Sequence, residues 1–173
     1  MKFRVNLVVA FILGCSLFPS VVSAATPPTI EQQREKRDQQ RINQLGKLVK
    51  AINATYNNAS SSAVLCNGMA FPCYGNSTLD SRASDGTGWV KVNLSAYGSL
   101  LPIDPINSFG ASGYHYVYCA DKPVGRLAGY EIDAKLESAK YSSKMATDGG
   151  DDVNLYEVGS NLTLVGVTPG CTY

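Results

Sequence analysis

The feature that most constrains the fold of this chain is one long helical segment followed only by strand-like segments. The helix begins at Thr26-Pro-Pro-Thr29, because proline is tolerated in a first turn and Thr29 with Gln32 makes a capping box. Apolar residues at a spacing of three to four then form a single stripe, which consists of Ile42, Leu45, Leu48, Val49, Ile52 and Tyr56. The stripe predicts a helix over about residues 29–56 whose C-terminal half packs on a sheet.

The first half of this helix has a different character. Residues 31–41 are almost all charged or amide-bearing and show no apolar stripe. A segment with mixed charges is more often a solvated face than a docking surface. We therefore expect it to project into water or toward a partner.

Strand-like patterns follow the helix. The clearest covers Tyr130 to Leu136, where apolar residues alternate with Glu131, Asp133 and Lys135, as in a half-buried antiparallel strand. Further strands are predicted at residues 89–94, 114–119 and 161–167, and residues 57–88 are rich in Asn, Ser, Gly and Asp and predict a loop. The predicted fold class is α+β, with one long N-terminal helix packed on an antiparallel sheet formed by residues 89–173.

The N-terminal residues have the layout of a cleavable export signal. Lys2 and Arg4 precede an apolar run from Leu7 to Leu17, and Val22-Ser23-Ala24 supplies small residues for a peptidase. The run is shorter than the about 20 residues that span a bilayer. The pattern predicts a signal peptide over residues 1–24, one domain over residues 25–173, and a secreted or cell-surface location. An uncleaved anchor and a lipid-carrying Cys15 are the alternatives.

Four cysteines remain after this segment, and an even number in an exported chain predicts disulfides. Of the three possible pairings we favour Cys66–Cys73, which closes a small loop, with Cys119–Cys171, which ties the C-terminus to a strand. The spacings contain no CxxC, so neither a redox motif nor a zinc site is indicated.

Composition argues against several classes of function. The formal charge is +1 and falls to −1 when Lys2 and Arg4 are removed, which provides no long-range field for nucleic acid. His115 is the single histidine, and neither Gly-x-Ser-x-Gly nor His-Glu-x-x-His occurs. We therefore predict a protein that is not an enzyme, with a structural His115 and with Tyr114, Tyr116 and Tyr118 used for packing.

Several strings, taken in order, resemble the globular domain of type IV pilins and of the major pseudopilins of type II secretion. The strings are the helix from Arg37 to Tyr56, Leu101-Pro-Ile-Asp104-Pro105, Tyr130-Glu-Ile, Leu136-Glu137-Ser138, Asp148-Gly-Gly-Asp-Asp152 and Tyr156-Glu-Val-Gly159. The resemblance covers residues 36–167. It departs from the family in the first 30 residues, which contain no glutamate to pair with a neighbouring subunit's amino terminus.

The resemblance implies a structural or accessory protein that acts through protein–protein contacts or self-association, linked to a pilus or a secretion system. It also implies calcium at Asp148, Asp151 and Asp152, for which a solvated acidic turn is the alternative. The other function considered is an extracellular binding module for a ligand or DNA, using the tyrosine strand and residues 57–88.

Overall fold

The computed structural model describes residues 27–110 and 112–173. The long helix α1 spans Ile30–Asn57, and four strands follow it: β1 at Cys73–Asn76, β2 at Tyr116–Asp121, β3 at Gly129–Ala134 and β4 at Tyr156–Gly159. They form one antiparallel sheet in the order β1-β2-β3-β4. A second helix, α2, is one turn long at Ser142–Met145. The predicted α+β class is confirmed, and the predicted signal peptide lies outside the described residues.

The start of α1 follows the predicted capping box. The Gln32 amide donates to Thr29 Oγ1 at 3.2 Å, and the Thr29 amide donates to Gln32 Oε1 at 2.9 Å. Farther along the helix, Leu45, Leu48 and Ile52 are buried in the core against the sheet. Burying a side chain of this size contributes about 1.5–3 kcal/mol, so the apolar stripe holds the C-terminal half of α1 in place.

The N-terminal half of α1 has an exposed face, as expected, but two of its charged residues are buried, which corrects the expectation that it projects away from the domain. Asp38 and Arg41 are both fully buried. The Arg41 guanidinium donates to both carboxylate oxygens of Asp104, at 2.6 and 2.9 Å, and also pairs with Asp38 and Glu137. Burial lowers the pKa of Arg41, but these three carboxylates outweigh it, so the pKa lies above its ordinary value. Ion pairs therefore hold this half of the helix against the rest of the domain, in a region where the helix has no apolar stripe.

The sheet is buried on both faces. The helix covers one face, and the C-terminal residues Leu164, Val165 and Cys171 pack against Val117 and Cys119 on the other. The prediction of a strand at residues 161–167 is wrong. This segment is a series of turns, with the Gly166 amide bonded to the Cys171 carbonyl at 2.9 Å, and β4 is formed earlier in the chain. Gly166 has φ +80°, a left-handed conformation that interrupts a strand.

Two further predictions for residues 57–94 are corrected. The predicted loop contains β1, and residues 89–94 form no strand, although Trp89, Val90 and Val92 are fully buried. A Cβ on Gly75 would collide with the Trp89 backbone, so the lack of a side chain lets this segment cross directly over β1. The Trp89 indole N–H is satisfied by the Pro102 carbonyl at 2.9 Å.

Both favoured disulfides are present. Cys66 bonds to Cys73 and Cys119 bonds to Cys171. Two disulfides indicate an oxidising, extracytoplasmic compartment. Across the residues that the structure describes, no helix has the length and apolar character needed to cross a membrane.

Candidate metal centre

Three acidic side chains lie on the sheet face away from α1. Glu131 and Asp133 alternate with the core residues of β3, and Glu157 lies directly opposite Asp133 on β4. Directly opposed residues of antiparallel strands bring their Cβ atoms to about 4.5–5.5 Å. Asp151, from the preceding turn, joins them, so that Glu131, Asp151 and Glu157 each place a carboxylate oxygen within 4.8 Å of the others. Glu131, Asp151 and Glu157 can therefore hold a metal ion. These three residues together with Asp133 form the acidic cluster.

The strand carboxylates are buried and incompletely hydrogen-bonded. Glu131 and Asp133 are 0% exposed. One oxygen of Glu131 accepts the amides of Leu164 and Val165, at 2.6 and 2.8 Å, whereas its other oxygen and both oxygens of Asp133 have no partner among the described residues. Leaving a buried polar atom unpaired costs about 1–3 kcal/mol, and more for a charged one. The cluster therefore needs either protons or a cation.

The electrostatic environment agrees with this need. Burial raises the pKa of Asp133 well above its ordinary value, and the adjacent Glu131 and Glu157 carboxylates raise it further. Burial, with the neighbouring Glu131, also raises the pKa of Glu157 to about 8. In the described ranges no Lys or Arg forms an ion pair with any member of the cluster. Carboxylate oxygens in this arrangement suit a hard divalent cation.

Of the three aspartates predicted to bind calcium, the structure brings Asp151 alone into this cluster. Asp148 accepts the amides of Gly150 at 3.0 Å and Glu157 at 2.9 Å, and Asp152 accepts the Asn154 amide at 2.9 Å. Asp148 and Asp152 therefore shape the turn that presents Asp151 and orients Glu157.

A glycine lets a carboxylate approach the backbone closely at one position of this turn. A Cβ on Gly150 would collide with the Glu157 carboxylate, while nothing lies within 4 Å of the corresponding position on Gly149. The close approach of backbone and carboxylate lets the Asp152 amide donate to Glu157 at 3.1 Å. Gly150 thus positions one of the candidate ligands.

Sequence reasoning missed Glu131, Asp133 and Glu157 as candidate ligands. The signal for Glu131 and Asp133 is their period-two placement in an otherwise apolar strand, a pattern that the sequence analysis assigns to a half-buried strand with its polar side chains opposite the apolar ones. The covering segment at residues 164–171 makes this interpretation wrong, because it buries the face that carries both acids.

The tyrosine strand, which carries Tyr116 and Tyr118, does not form an exposed binding surface. Tyr116 and Tyr118 are fully buried, and their hydroxyl groups donate to Gln44 Oε1 and the Leu65 carbonyl, both at 2.6 Å. His115 is also buried; its ring stacks on Tyr173 with centroids 4.3 Å apart, and burial lowers its pKa. The tyrosines at positions 116 and 118 therefore pack in the core, as expected, and cannot stack on nucleic-acid bases.

Comparison with known proteins found no family model, no curated protein and no solved structure that matches this chain. The basis for a functional proposal is therefore the fold, the two disulfides and the acidic cluster.

Proposed function

We propose that this chain is an exported, non-enzymatic structural or accessory domain of the pilin and pseudopilin type. In this proposal it acts through protein–protein contacts and binds calcium at Glu131, Asp133, Asp151 and Glu157. The observation that carries the calcium assignment is the set of buried carboxylate oxygens without hydrogen-bond partners. The two disulfides support an extracytoplasmic site of action.

The pilin-type assignment is supported by contacts between the strings that carry the resemblance. Arg41 of the helix bonds to Asp104 of the Leu-Pro-x-Asp-Pro string. Asp38 accepts the Ser138 amide and hydroxyl, at 2.8 and 2.6 Å, from the Leu-Glu-Ser string. Strings that are distant in sequence therefore meet at one buried ion cluster. Such contacts are expected if the strings are parts of one inherited architecture.

Calcium suits the acidic cluster better than other common metal ions. It takes six to eight oxygen ligands in a flexible geometry, whereas magnesium demands near-ideal octahedral geometry and keeps several waters. The cluster contains neither histidine nor cysteine, the ligands that zinc and copper prefer. An exported protein also needs only a dissociation constant of about 10⁻⁴–10⁻³ M, which is typical of extracellular calcium modules.

Thermal unfolding of the purified domain tests the calcium assignment. Saturating calcium should raise the melting temperature relative to the chelator-treated protein, and magnesium should do so less. At 100 times the dissociation constant, a ligand that binds only the folded state adds about 2.7 kcal/mol. Asp133→Asn should abolish most of the effect, and Asp152→Asn should retain it. Equal responses of the two variants would refute the assignment to the strand carboxylates.

Intact mass and location test export and the structural role. Protein from the native host should begin at Ala25 or Thr26 and be lighter by two hydrogens for each disulfide. A soluble accessory domain would be recovered from the medium, and a filament subunit from sheared surface fibres. A reduced chain confined to the cytoplasm would overturn the proposal.

A binding module on the same scaffold is the second candidate function. The buried tyrosine strand does not favour it, but a groove beside α1 does. This groove combines a basic rim with an apolar floor. Binding of a small anion there, without self-association, would favour the module.

A further inference from the structure

The groove lies between the C-terminal half of α1 and residues 94–102. It encloses about 630 Å³, which is within the usual range of ligand sites. Its floor is apolar and is formed by Leu48, Ala51, Leu94 and Leu101. Tyr97 and Leu100 stand at its edge and are largely exposed. An occupant therefore has apolar surface to cover.

The rim of the groove is basic. Lys47, Lys50 and Arg82 line it, and none of the described lining residues is acidic. Neither lysine forms an ion pair with another described residue, and Arg82 Nε is bonded to the Leu101 carbonyl at 2.7 Å. Three cations above an apolar floor select an occupant that carries both negative charge and an apolar side chain.

One exposed segment of this chain has that chemistry. In the turn at residues 151–153, Asp151 and Asp152 precede Val153, which is 64% exposed. Asp152 is not a member of the acidic cluster, so its charge remains available when a cation occupies that site. The turn leads directly into β4, at one edge of the sheet.

The groove is formed by other elements of the molecule, α1 and residues 82–102. The segment that contains Trp89 crosses over β1, and Gln44 at the groove bonds to Tyr116 on the adjacent strand β2. The groove and the turn share no residue, so they are separate surfaces of the molecule. A contact between them joins different surfaces of two copies, which is the kind of interface that builds rings or open chains.

We infer that this groove docks the acidic turn at residues 151–153 of a second copy of the chain, head to tail. Lys47 and Lys50 face Asp152, and Val153 covers the apolar floor. The inference rests on the proposed protein–protein role and gives that role a surface. It requires no residue of the N-terminal segment.

Sedimentation velocity of the full-length mature chain in calcium tests this contact. Wild-type protein should form dimers and longer species as its concentration rises. Lys47→Glu/Lys50→Glu and Asp152→Lys should each weaken association by at least about tenfold, the effect of losing about 1.4 kcal/mol. Lys36→Glu, the same charge reversal on the exposed part of α1, should leave it unchanged.

Mixing the two defective proteins is the decisive step. The groove variant keeps a native turn, the turn variant keeps a native groove, and the two altered surfaces carry opposite charges, so the mixture should regain the association that each variant lacks alone. Assembly of either variant like wild type, or a mixture that stays monomeric, would overturn the proposed contact. So would a wild-type protein that remains monomeric at millimolar concentration.

A peptide probe identifies the occupant independently. A peptide spanning residues 149–155 should shift the amide resonances of Leu48 and Leu101, and the same peptide with Asp152→Lys should not. Binding of an unrelated small anion with no response to the peptide would overturn the inference in favour of a ligand site. Calcium stabilisation and the mature mass, measured on the same samples, report separately on the proposed function.

Discussion

The guanidinium of Arg41 and the carboxylate of Asp104 form a two-bond ion pair in which neither side chain has any exposed surface. The two residues are 63 positions apart, so the pair joins α1 to the loop that precedes β2. Asp38 and Glu137 complete the cluster around the same guanidinium. A buried pair of this kind is weak evidence for stability overall, but breaking it leaves an uncompensated charge inside the protein.

Asp104→Ala is therefore expected to lower the free energy of unfolding by about 3–5 kcal/mol. The substitution leaves part of the Arg41 charge unpaired. It also removes the acceptor of the hydrogen bond that the Ile106 amide donates to Asp104 at 2.8 Å. Urea unfolding monitored by circular dichroism measures the loss. Glu35→Ala is the control, because Glu35 pairs with Lys140 in a partly exposed bridge at 3.1 Å, and such pairs contribute about 0–1 kcal/mol. Similar losses for both variants would contradict the assigned role of the buried pair.

Asp133→Asn is expected to change the thermal stability of the domain in opposite directions with and without calcium. In chelator it should stabilise the domain, because it removes one buried acid from a group whose members repel each other. In calcium it should lose most of the added stability, because it removes a candidate ligand. Paired melting curves in chelator and in calcium give both values. A variant that is less stable than wild type in chelator would argue against repulsion within the cluster.

Calcium-free protein, kept in a chelator, should become less stable as the pH rises from about 4.5 to 8. The pKa of Glu157 is raised from 4.5 to about 8 in the folded chain, so the folded state holds a proton that the unfolded state has already released. Between those values the folded state binds more protons, and stability falls as pH increases. Urea midpoints in chelator across this range measure the slope. Glu157→Gln should flatten it, and an equally steep slope in that variant would rule out Glu157 as the source.

Gly150→Ala and Gly149→Ala should have separable effects. At position 150 the new methyl group displaces the Glu157 carboxylate, so calcium affinity should fall. At position 149, where φ is +98° and the surrounding space is open, the methyl group strains only the backbone and should cost about 1–2 kcal/mol of stability. Calcium titration calorimetry together with urea unfolding distinguishes the two. Loss of calcium binding in both variants would mean that the turn as a whole, and not the contact at Gly150, holds the ligand.

Removing the two disulfides should have unequal effects. Replacing both cysteines of Cys119–Cys171, which are 52 residues apart, should cost about 4 kcal/mol from chain entropy. The shorter loop between Cys66 and Cys73, which are 7 residues apart, should cost about 2 kcal/mol. The first replacement also loosens the segment that covers Glu131, so it alone should weaken calcium binding. Equal effects on calcium would show that this cover does not shape the site.

Much of the fold could be predicted from local pattern. The capping box at Thr29, the apolar stripe from Ile42 to Tyr56 and the pattern around Ile132 are short-range signals, and each predicted its element to within a few residues. Of the three possible disulfide pairings, the favoured one is present. The wrong predictions concern segments in which long-range packing outweighs local pattern. One example is Trp89, which is buried in an irregular segment because Gly75 has no side chain to block its close approach.

The sequence by itself determined that one amphipathic helix lies on an antiparallel sheet, because three- to four-residue and two-residue periodicities are properties of the local backbone. Which polar residues are buried was decided only by the tertiary structure. Arg41 is enclosed because Asp104 and Glu137, far away in the chain, arrive around it. Glu131 and Asp133 gather with Glu157 because the C-terminal segment covers their face of the sheet. Burial depends on what packs over a residue, and a local pattern contains no information about a covering segment that arrives from elsewhere in the chain.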